Sequence, residues 1–206
     1  MIEQHLSELA ALALVARDSL GPALAETMAA VADAVLSGRT VLSFGNGGSA
    51  TQAQHFAAEL VVRYKEDRPA LPAIALTADT AILTACANDY DFDSVFARQV
   101  EALGRPGDVA LGLSTSGRSP NVVRALEAAR GRGMRTILLT GERGAAEAQR
   151  WDHGLVVPSL ETAHIQEIHL ALLHLLCRGV DAERLRRAES GEACASETAT
   201  EVSPAV

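Results

Sequence analysis

The chain has 206 residues, a net charge of −8 at pH 7, 48% hydrophobic residues and 3% aromatic residues. This length predicts one domain with an aliphatic core, and the acidic balance without a Lys/Arg run argues against direct nucleic-acid binding. The N-terminus lacks a secretory-signal pattern, and no uninterrupted apolar run reaches the roughly 18 residues of a membrane span. The sequence therefore predicts a cytoplasmic protein that does not enter a membrane.

The predicted elements alternate between helix and strand along most of the chain. Apolar residues at helical spacing over residues 2–37 predict two helices, separated at the Gly21-Pro22 step. Buried strands are predicted at residues 40–44, 73–76, 109–113, 136–140 and 154–157, and helices at 50–62, 80–86, 92–103, 120–132, 144–150 and 162–179. This alternation predicts an α/β fold, with a parallel sheet covered by helices on both faces.

The end of the chain has a different composition. Residues 181–206 are small, polar and acidic, with little periodicity, and this pattern is typical of disorder. We therefore predict one domain over residues 1–180 and a disordered acidic tail over residues 181–206.

Two predicted loops have the composition of phosphate-binding loops. The sequence GNGGS, residues 45–49, follows a strand and precedes a helix, so backbone N–H groups at the helix start could bind an anion. It matches neither GxGxxG nor a P-loop, and a turn capped by Ser49 is the alternative. The sequence STSGRSP, residues 114–120, supplies the hydroxyls of Ser114, Thr115, Ser116 and Ser119 before a helix, where Ser119 could alternatively act only as a cap.

Histidine and carboxylate side chains recur on two of the predicted helices. His55 and Glu59 are four residues apart and share one helix face, and Gln166 and His174 share a broad face of the last helix, with His164 and His169 nearby. A Glu and a His could transfer protons next to a carbonyl group, whereas the same side chains could bind a metal ion. Ordinary helix histidines are the third alternative, and these spacings do not choose among the three.

Five motifs in one order carry a family resemblance. The segments GNGGS, HFAAEL, ANDYDFDSVF, STSGRS and IQEIHLALLH make the chain similar to the sugar isomerase (SIS) domain family, and most similar to the sedoheptulose-7-phosphate isomerases, also called phosphoheptose isomerases. The likeness covers about residues 1–180. It implies a homotetramer of flavodoxin-like subunits with shared active sites, in which the N-terminal helices serve oligomerisation. It further implies aldose–ketose isomerisation of sedoheptulose 7-phosphate to D-glycero-D-manno-heptose 7-phosphate, the first step of nucleotide-heptose biosynthesis.

The resemblance also assigns roles to individual positions. It implies that Glu59 is the catalytic base and His174 the acid. The implied substrate contacts are Asn46, Gly47, Gly48, Glu59, Asn88, Asp89, Ser114, Thr115, Ser116, Ser119 and Gln166. Family members that bind zinc would hold one ion per subunit through His55, Glu59, Gln166 and His174. Glu59 and His174 belong to both sets, and a ligated imidazole cannot also be a free acid, so a metal would either assist as a Lewis acid or occupy the resting site.

Two alternatives to this function remain open. A relative with the same fold associates with the replication initiator without catalysis, and that class lacks counterparts of Glu59 and His174 and has Arg in place of Ser116, whereas this chain has all three groups. An isomerase of another sugar phosphate is the second alternative, because the motifs specify phosphate binding and proton transfer better than carbon-chain length. One departure from the isomerase pattern is Arg118, where these enzymes often have Asn.

Overall fold

A computed structural model of the chain describes residues 1–191. The helices are α1 (Ile2–Leu36), α2 (Gly48–Val61), α3 (Thr80–Asp89), α4 (Ala97–Leu103), α5 (Pro120–Gly131), α6 (Ala145–Ala148) and α7 (Thr162–Ser190). The strands are β1 (Val41–Gly45), β2 (Ala73–Ala75), β3 (Val109–Ser114), β4 (Arg135–Gly141) and β5 (His153–Val157). Single 3₁₀ turns, Phe92–Ser94 and Glu142–Gly144, precede α4 and α6.

The five strands form one parallel sheet in the order β2-β1-β3-β4-β5. This is the flavodoxin-like order, so the predicted α/β fold class is confirmed. The first and last residues of each predicted strand lie within two positions of those observed. The chain leaves β1 for the sheet edge and then returns to form β3 on the other side of β1. Ligands of such sheets bind where the order reverses, at the carboxyl ends of the strands. The loops after β1 and β3 meet at this point.

The central strands β1, β3 and β4 are buried on both faces, whereas the edge strands β2 and β5 are partly exposed. Alternate strand residues point to opposite sides, so Val41 and Leu111 lie in a core layer covered by α1, α2 and α7, while Leu42 and Ala110 lie in the layer covered mainly by α5 and the α3–α4 region. Burial on both faces explains why the central strands read as nearly continuous apolar runs. Within this arrangement α2 and α7 pack side by side on one face of the sheet.

The prediction of two N-terminal helices was wrong. A single helix of 35 residues, α1, contains Pro22 in its interior. The chain stays helical across the proline because Leu20 before it and Val31 after it both belong to the core layer beside α7, and this burial outweighs the lost hydrogen bond. The oligomerisation role of this region stays a prediction.

The length of α1 also bears on the membrane prediction. Among the described residues, α1 is long and apolar enough to cross a membrane by length and composition, and 39% of its apolar window is buried inside the protein. Core helices of soluble proteins satisfy the same criterion, so this is weak evidence for a span.

The last helix extends ten residues beyond the predicted domain boundary. Disorder was predicted from Asp181 onward, but Asp181–Ser190 continue α7, which ends at Gly191 in a left-handed cap (φ 73°). Asp181 is buried and accepts a hydrogen bond from Arg68, so a tertiary contact holds this segment in place. The rest of the predicted tail, residues 192–206, lies outside the described residues.

Candidate active site

The two predicted phosphate loops lie side by side. Residue Gly45 at the end of β1 pairs with Leu113 of β3, and the following side chains of Asn46 and Asn121 exchange two hydrogen bonds of 2.9 Å. Asn121 is 2% exposed and lies in the first turn of α5. Sequence reasoning missed it; its place directly after the hydroxyl-rich loop was the available signal. The reciprocal amide pair fixes one loop against the other.

The GNGGS loop brings backbone rather than side chains to the end of β1. Gly47 has φ +56° and is the N-cap of α2, without a side-chain capping bond. A Cβ on Gly45 would lie 2.8 Å from the Leu113 carbonyl oxygen, so only glycine fits there. Ser49 is buried within the first turn of α2 and does not cap it, so the alternative of a serine-capped turn is wrong. The glycines leave the helix start open to close approach by a ligand.

The hydroxyl loop is tightly folded. The Oγ atoms of Ser114 and Ser119 lie 3.0 Å apart, and Ser116 Oγ accepts a hydrogen bond from the Arg118 N–H. Gly117 has φ +67°, and a Cβ there would lie 2.5 Å from the Gly144 Cα. Ser119 is the N-cap residue of α5 but makes no side-chain capping bond. The hydroxyls of Ser114 and Ser119 therefore face each other at a helix start, where they could donate to a phosphate.

The predicted contacts Asn88 and Asp89 lie apart from these loops in a single subunit. Both are exposed in the last turn of α3, where Asn88 donates a 2.8 Å hydrogen bond to Asp89. Asp89 lines a cavity with Tyr90 and Arg98, whereas Asn46 and Gly47 line a different cavity of about 140 Å³. Their contact with substrate stays a prediction.

Three of the four predicted metal ligands come together between α2 and α7. The Nε2 atoms of His55 and His174 are 3.0 Å apart, and His55 Nε2 is 3.5 Å from Glu59 Oε1. The His55 side chain is 42% exposed and that of Glu59 is 20% exposed, so a small molecule can reach them. We call these three residues the His55 cluster. The i,i+4 spacing on α2 places His55 and Glu59 on one helix face. The packing of α7 against α2 brings His174 to them.

The fourth predicted ligand, Gln166, lies near the start of α7, at the point where α7 passes the start of α2. Its side chain packs against Gly48, where a Cβ would approach Gln166 Nε2 to 2.7 Å, and its carbonyl accepts a 2.7 Å hydrogen bond from Gln52. A side chain at position 48 would therefore displace the Gln166 amide group from its observed place. Gln166 thus borders the GNGGS loop.

Two residues that sequence reasoning missed support the His55 cluster. The Tyr64 ring stacks on His174, with centroids 5.5 Å apart and planes at 26°. The Arg68 side chain, 1% exposed, donates to the Glu59 carbonyl and pairs with Asp181 at 3.1 Å. Both follow α2 in the segment RYKEDR, where one tyrosine among charged residues was the only signal. These contacts hold the last turn of α2 against α7.

The thiol beside this cluster is inert. Burial, followed by the negative charges of Glu59 and Asp181, raises the pKa of Cys177 to about 12. A thiol with such a pKa stays protonated and is a poor nucleophile or metal ligand. Cys177 is therefore a packing residue.

The donor set of the His55 cluster suits a transition metal. Two imidazole nitrogens and a carboxylate are common zinc ligands, and His55 Nε2 lies within 3.5 Å of a donor atom of each of the other two residues. A second group of the same types lies elsewhere: His5, His164 and Glu167 have ligand atoms that all lie within 4.8 Å of one another. We call this second group the His5 cluster.

Comparison with known proteins places this geometry in a family. The SIS domain model matches residues 4–141. A phosphoheptose isomerase of Bradyrhizobium sp. (strain BTAi1 / ATCC BAA-1182) is 53% identical over 184 residues, which are 88% of this chain and 93% of the relative.

Solved structures agree with the sequence comparison. The phosphoheptose isomerase of Neisseria gonorrhoeae superposes with a TM-score of 0.82 at 42% identity, covering 88% of this chain and 97% of the other. That of Francisella tularensis gives a TM-score of 0.84 at 39% identity, over 88% and 96% of the two chains. The chain belongs to the phosphoheptose isomerase family of SIS-domain proteins.

Proposed function

We propose that the chain is an aldose–ketose isomerase that converts sedoheptulose 7-phosphate to D-glycero-D-manno-heptose 7-phosphate, the first step of nucleotide-heptose biosynthesis. The observation that carries this proposal is the convergence of His55, Glu59 and His174 between α2 and α7, behind two adjacent phosphate-binding loops. The family membership of the chain supports the same reaction. We assign phosphate binding to the two loops and proton transfer to the His55 cluster.

The two loops would bind the phosphate end of the substrate. Hydroxyls of Ser114, Thr115, Ser116 and Ser119, together with the backbone of Asn46, Gly47 and Gly48, donate hydrogen bonds without a buried lysine. From Gly48 to His55 the chain covers about 10 Å of helix. The reacting carbons C1 and C2 are at the opposite end of a heptose from its 7-phosphate, so this separation suits a long sugar phosphate better than a short one.

The Glu59 carboxylate and the His174 imidazole would move the protons. Glu59 removes a proton from C1 of the ketose while His174 donates a proton to the C2 oxygen, which gives the enediol. Glu59 then returns a proton to C2 as His174 accepts the proton of the C1 hydroxyl, which gives the aldose. The stack of Tyr64 on His174 and the bond from Arg68 to the Glu59 carbonyl hold both groups in place.

His55, Glu59 and His174, with Gln166 about two turns earlier on α7, are the residues that would hold one zinc ion per subunit. When bound, zinc would supply Lewis-acid polarisation of the substrate oxygens. A bound zinc and the proton-transfer role compete for Glu59 and His174, so we assign proton transfer to the groups when they are free. We further propose a cytoplasmic homotetramer in which a neighbouring subunit brings Asn88 and Asp89 to the loops.

The test is isomerisation in deuterated water. The protein is incubated with sedoheptulose 7-phosphate, and the product is analysed by NMR for an aldoheptose phosphate carrying deuterium at C2. The Glu59→Gln variant is expected to lose about 10²–10⁴-fold in kcat, the usual contribution of a general base. Ribulose 5-phosphate and fructose 6-phosphate serve as shorter substrates and should react at least tenfold more slowly.

The matched control is Glu66→Gln, which changes an exposed carboxylate just beyond the same helix. It should leave turnover unchanged. No product with the wild-type protein would overturn the enzymatic assignment and favour a non-catalytic role. Undiminished turnover in Glu59→Gln would overturn the assignment of Glu59 as the base. Faster turnover of a shorter ketose phosphate would keep the reaction and change the substrate.

A further inference from the structure

The His5 cluster joins the first turns of two helices that are distant in sequence. His5 lies in the first turn of α1, whereas His164 and Glu167 lie three residues apart at the start of α7. His5 Nε2 is 2.8 Å from Glu167 Oε1, and His5 Nδ1 is 3.3 Å from His164 Nε2. The two imidazole rings meet edge to face, with centroids 4.5 Å apart. The three side chains therefore surround one point between the helices.

The spacing of these donors fits a small dication. Nitrogen and oxygen ligands at zinc distances are about 3.4 Å apart around a tetrahedral ion. The observed separations, 2.8 Å from His5 Nε2 to Glu167 Oε1 and 3.3 Å from His5 Nδ1 to His164 Nε2, are both shorter than this value and involve different nitrogens of the His5 ring. One ligand atom from each of the three residues nevertheless lies within 4.8 Å of the other two. One nitrogen of His5, with His164 Nε2 and a Glu167 oxygen, would supply three ligands. Rotation of the half-exposed His5 ring would bring either Nδ1 or Nε2 toward the ion.

Burial of the cluster is uneven in a way that suits a metal site. His164 is 5% exposed, and the Glu167 Oε2 atom is buried without a hydrogen-bond partner. A buried carboxylate oxygen without a partner is costly, and an ion would satisfy it. The side chains of His5 and Glu167 are 42% and 37% exposed, so water can reach the point and complete the coordination.

The position of the cluster gives an ion there a structural effect. Residues 2–15 of α1 include none that is buried, and Ala16 is the first buried residue of the helix. Leu9 and Leu12 pack only partly against the core, and Pro22 removes a helix hydrogen bond further on. Within one subunit the first half of α1 therefore has few buried contacts, and a link from His5 to α7 would anchor it.

Some nearby charges would raise the affinity of this site for a cation, and others would lower it. The positive ends of the α1 and α7 dipoles oppose a cation at these first turns. Glu3 in the first turn of α1 and Glu161 at the N-cap of α7 offset this effect, and Glu167 itself supplies a negative charge. Two imidazoles and one carboxylate favour zinc and its first-row neighbours over magnesium or calcium.

We propose that His5, His164 and Glu167 form a structural binding site for a divalent transition-metal ion of the zinc class, separate from the His55 cluster, which fastens the first half of α1 to α7. The protein could lack this metal site and still be an isomerase, and it could bind this metal ion without being one. His5 lies on α1, which contributes no residue to the proposed reaction.

The experiment measures zinc binding and its local effect in the full chain. Metal-free protein is titrated with zinc, bound metal is counted by elemental analysis, and hydrogen exchange is followed by mass spectrometry for peptides within residues 2–15. In the wild-type protein, zinc at a hundredfold excess over Kd should raise the Tm by about 5–10 °C and slow exchange of these peptides. His5→Gln should lose one bound zinc and abolish the slowing, with kcat unchanged.

Two further variants separate the sites. Glu167→Gln, which keeps the shape of the side chain, should reproduce the loss even if His5→Gln folds poorly. His153→Gln changes a histidine on β5 outside both clusters and should bind zinc like the wild type. Unchanged zinc stoichiometry and unchanged exchange of residues 2–15 in both His5→Gln and Glu167→Gln would overturn the proposal. So would a wild-type zinc effect that His55→Gln alone removes.

Discussion

Two histidine–carboxylate clusters of the same composition share α7 but differ in what surrounds them. The His55 cluster lies between two helices that cover the sheet, about 10 Å along α2 from the GNGGS loop, and the buried Arg68 donates a hydrogen bond to the Glu59 carbonyl. The His5 cluster lies between α7 and the first half of α1, where the helix contributes no buried residue. The same donors thus suggest reaction chemistry in one place and structural attachment in the other. A donor set alone does not define an active site.

The largest effect that tests this comparison is on turnover. His174→Asn should lower kcat by about 10²–10⁴-fold because it removes the proposed acid. His5→Gln, which changes the matching residue type in the other cluster, should leave kcat within twofold. Steady-state kinetics with sedoheptulose 7-phosphate measures both. Equal losses in the two variants would contradict the division of roles.

The next effect concerns how rigidly the His55 cluster is anchored. Asp181→Ala leaves the Arg68 guanidinium buried without its charge partner, and this should lower the free energy of unfolding by about 3 kcal/mol. Urea unfolding measures the change. Asp18→Ala removes the partner of Arg17 in a fully exposed pair and should have no measurable effect. A small effect of Asp181→Ala would show that Arg68 is satisfied by its carbonyl contacts.

A third prediction tests whether the neighbouring loop binds phosphate. Ser114→Ala removes one hydroxyl donor to a charged group, worth about 1.5–3 kcal/mol, so kcat/KM should fall about 10–100-fold, mainly through KM. Thr84→Ala, which removes an exposed hydroxyl bonded to its own helix, is the control and should leave KM unchanged. If Ser114→Ala lowered kcat at constant KM, the loop would act on the reacting carbons instead.

The smallest effect concerns exposed contacts between α7 and α1. Hydrogen bonds from Arg186 and then Arg187 lower the pKa of Glu183 to about 2, and Arg187 also reaches Asp33 of α1. A depressed carboxyl pKa adds stability above the unfolded-state value near 4.5, and this stability is lost as the pH falls toward 2. Glu183→Gln should therefore cost less than about 1 kcal/mol at pH 6 and less still at pH 3.

The measurement for this variant is urea unfolding of the wild type and Glu183→Gln at the two pH values. A difference that grew on acidification would contradict the assigned ion pairs. A loss above 2 kcal/mol at pH 6 would show that this end of the α1–α7 contact is as important as the buried Arg68 pair.

The sequence predicted the layers and the loops because local patterns specify them. Continuous aliphatic runs identified all five strands, and glycines and serines at the ends of β1 and β3 identified both loops. The pairing of His55 with Glu59 followed from helix periodicity. Supporting residues such as Tyr64, Arg68 and Asn121 were not predicted, because their contacts depend on how separate elements pack.

Where local rules and tertiary packing competed, packing prevailed. Pro22 predicts a helix break, yet burial on both sides of it keeps α1 continuous. The polar composition after residue 180 predicts disorder, yet the buried pair of Arg68 and Asp181 extends α7 to Ser190. These contacts link residues more than a hundred positions apart, and composition within a short window carries no information about them.

The sequence by itself determined the α/β fold, the positions of the glycine-rich and serine-rich loops and the family, because hydrophobic periodicity and motif order are local properties of the chain. Only the tertiary structure decided which histidines meet. The packing of α7 against α2 places His174 beside His55. The packing of α1 against the start of α7 places His5 beside His164 and Glu167. The physical reason is that a helix presents several faces at once, and only the packing of its neighbours determines which side chains on each face find partners.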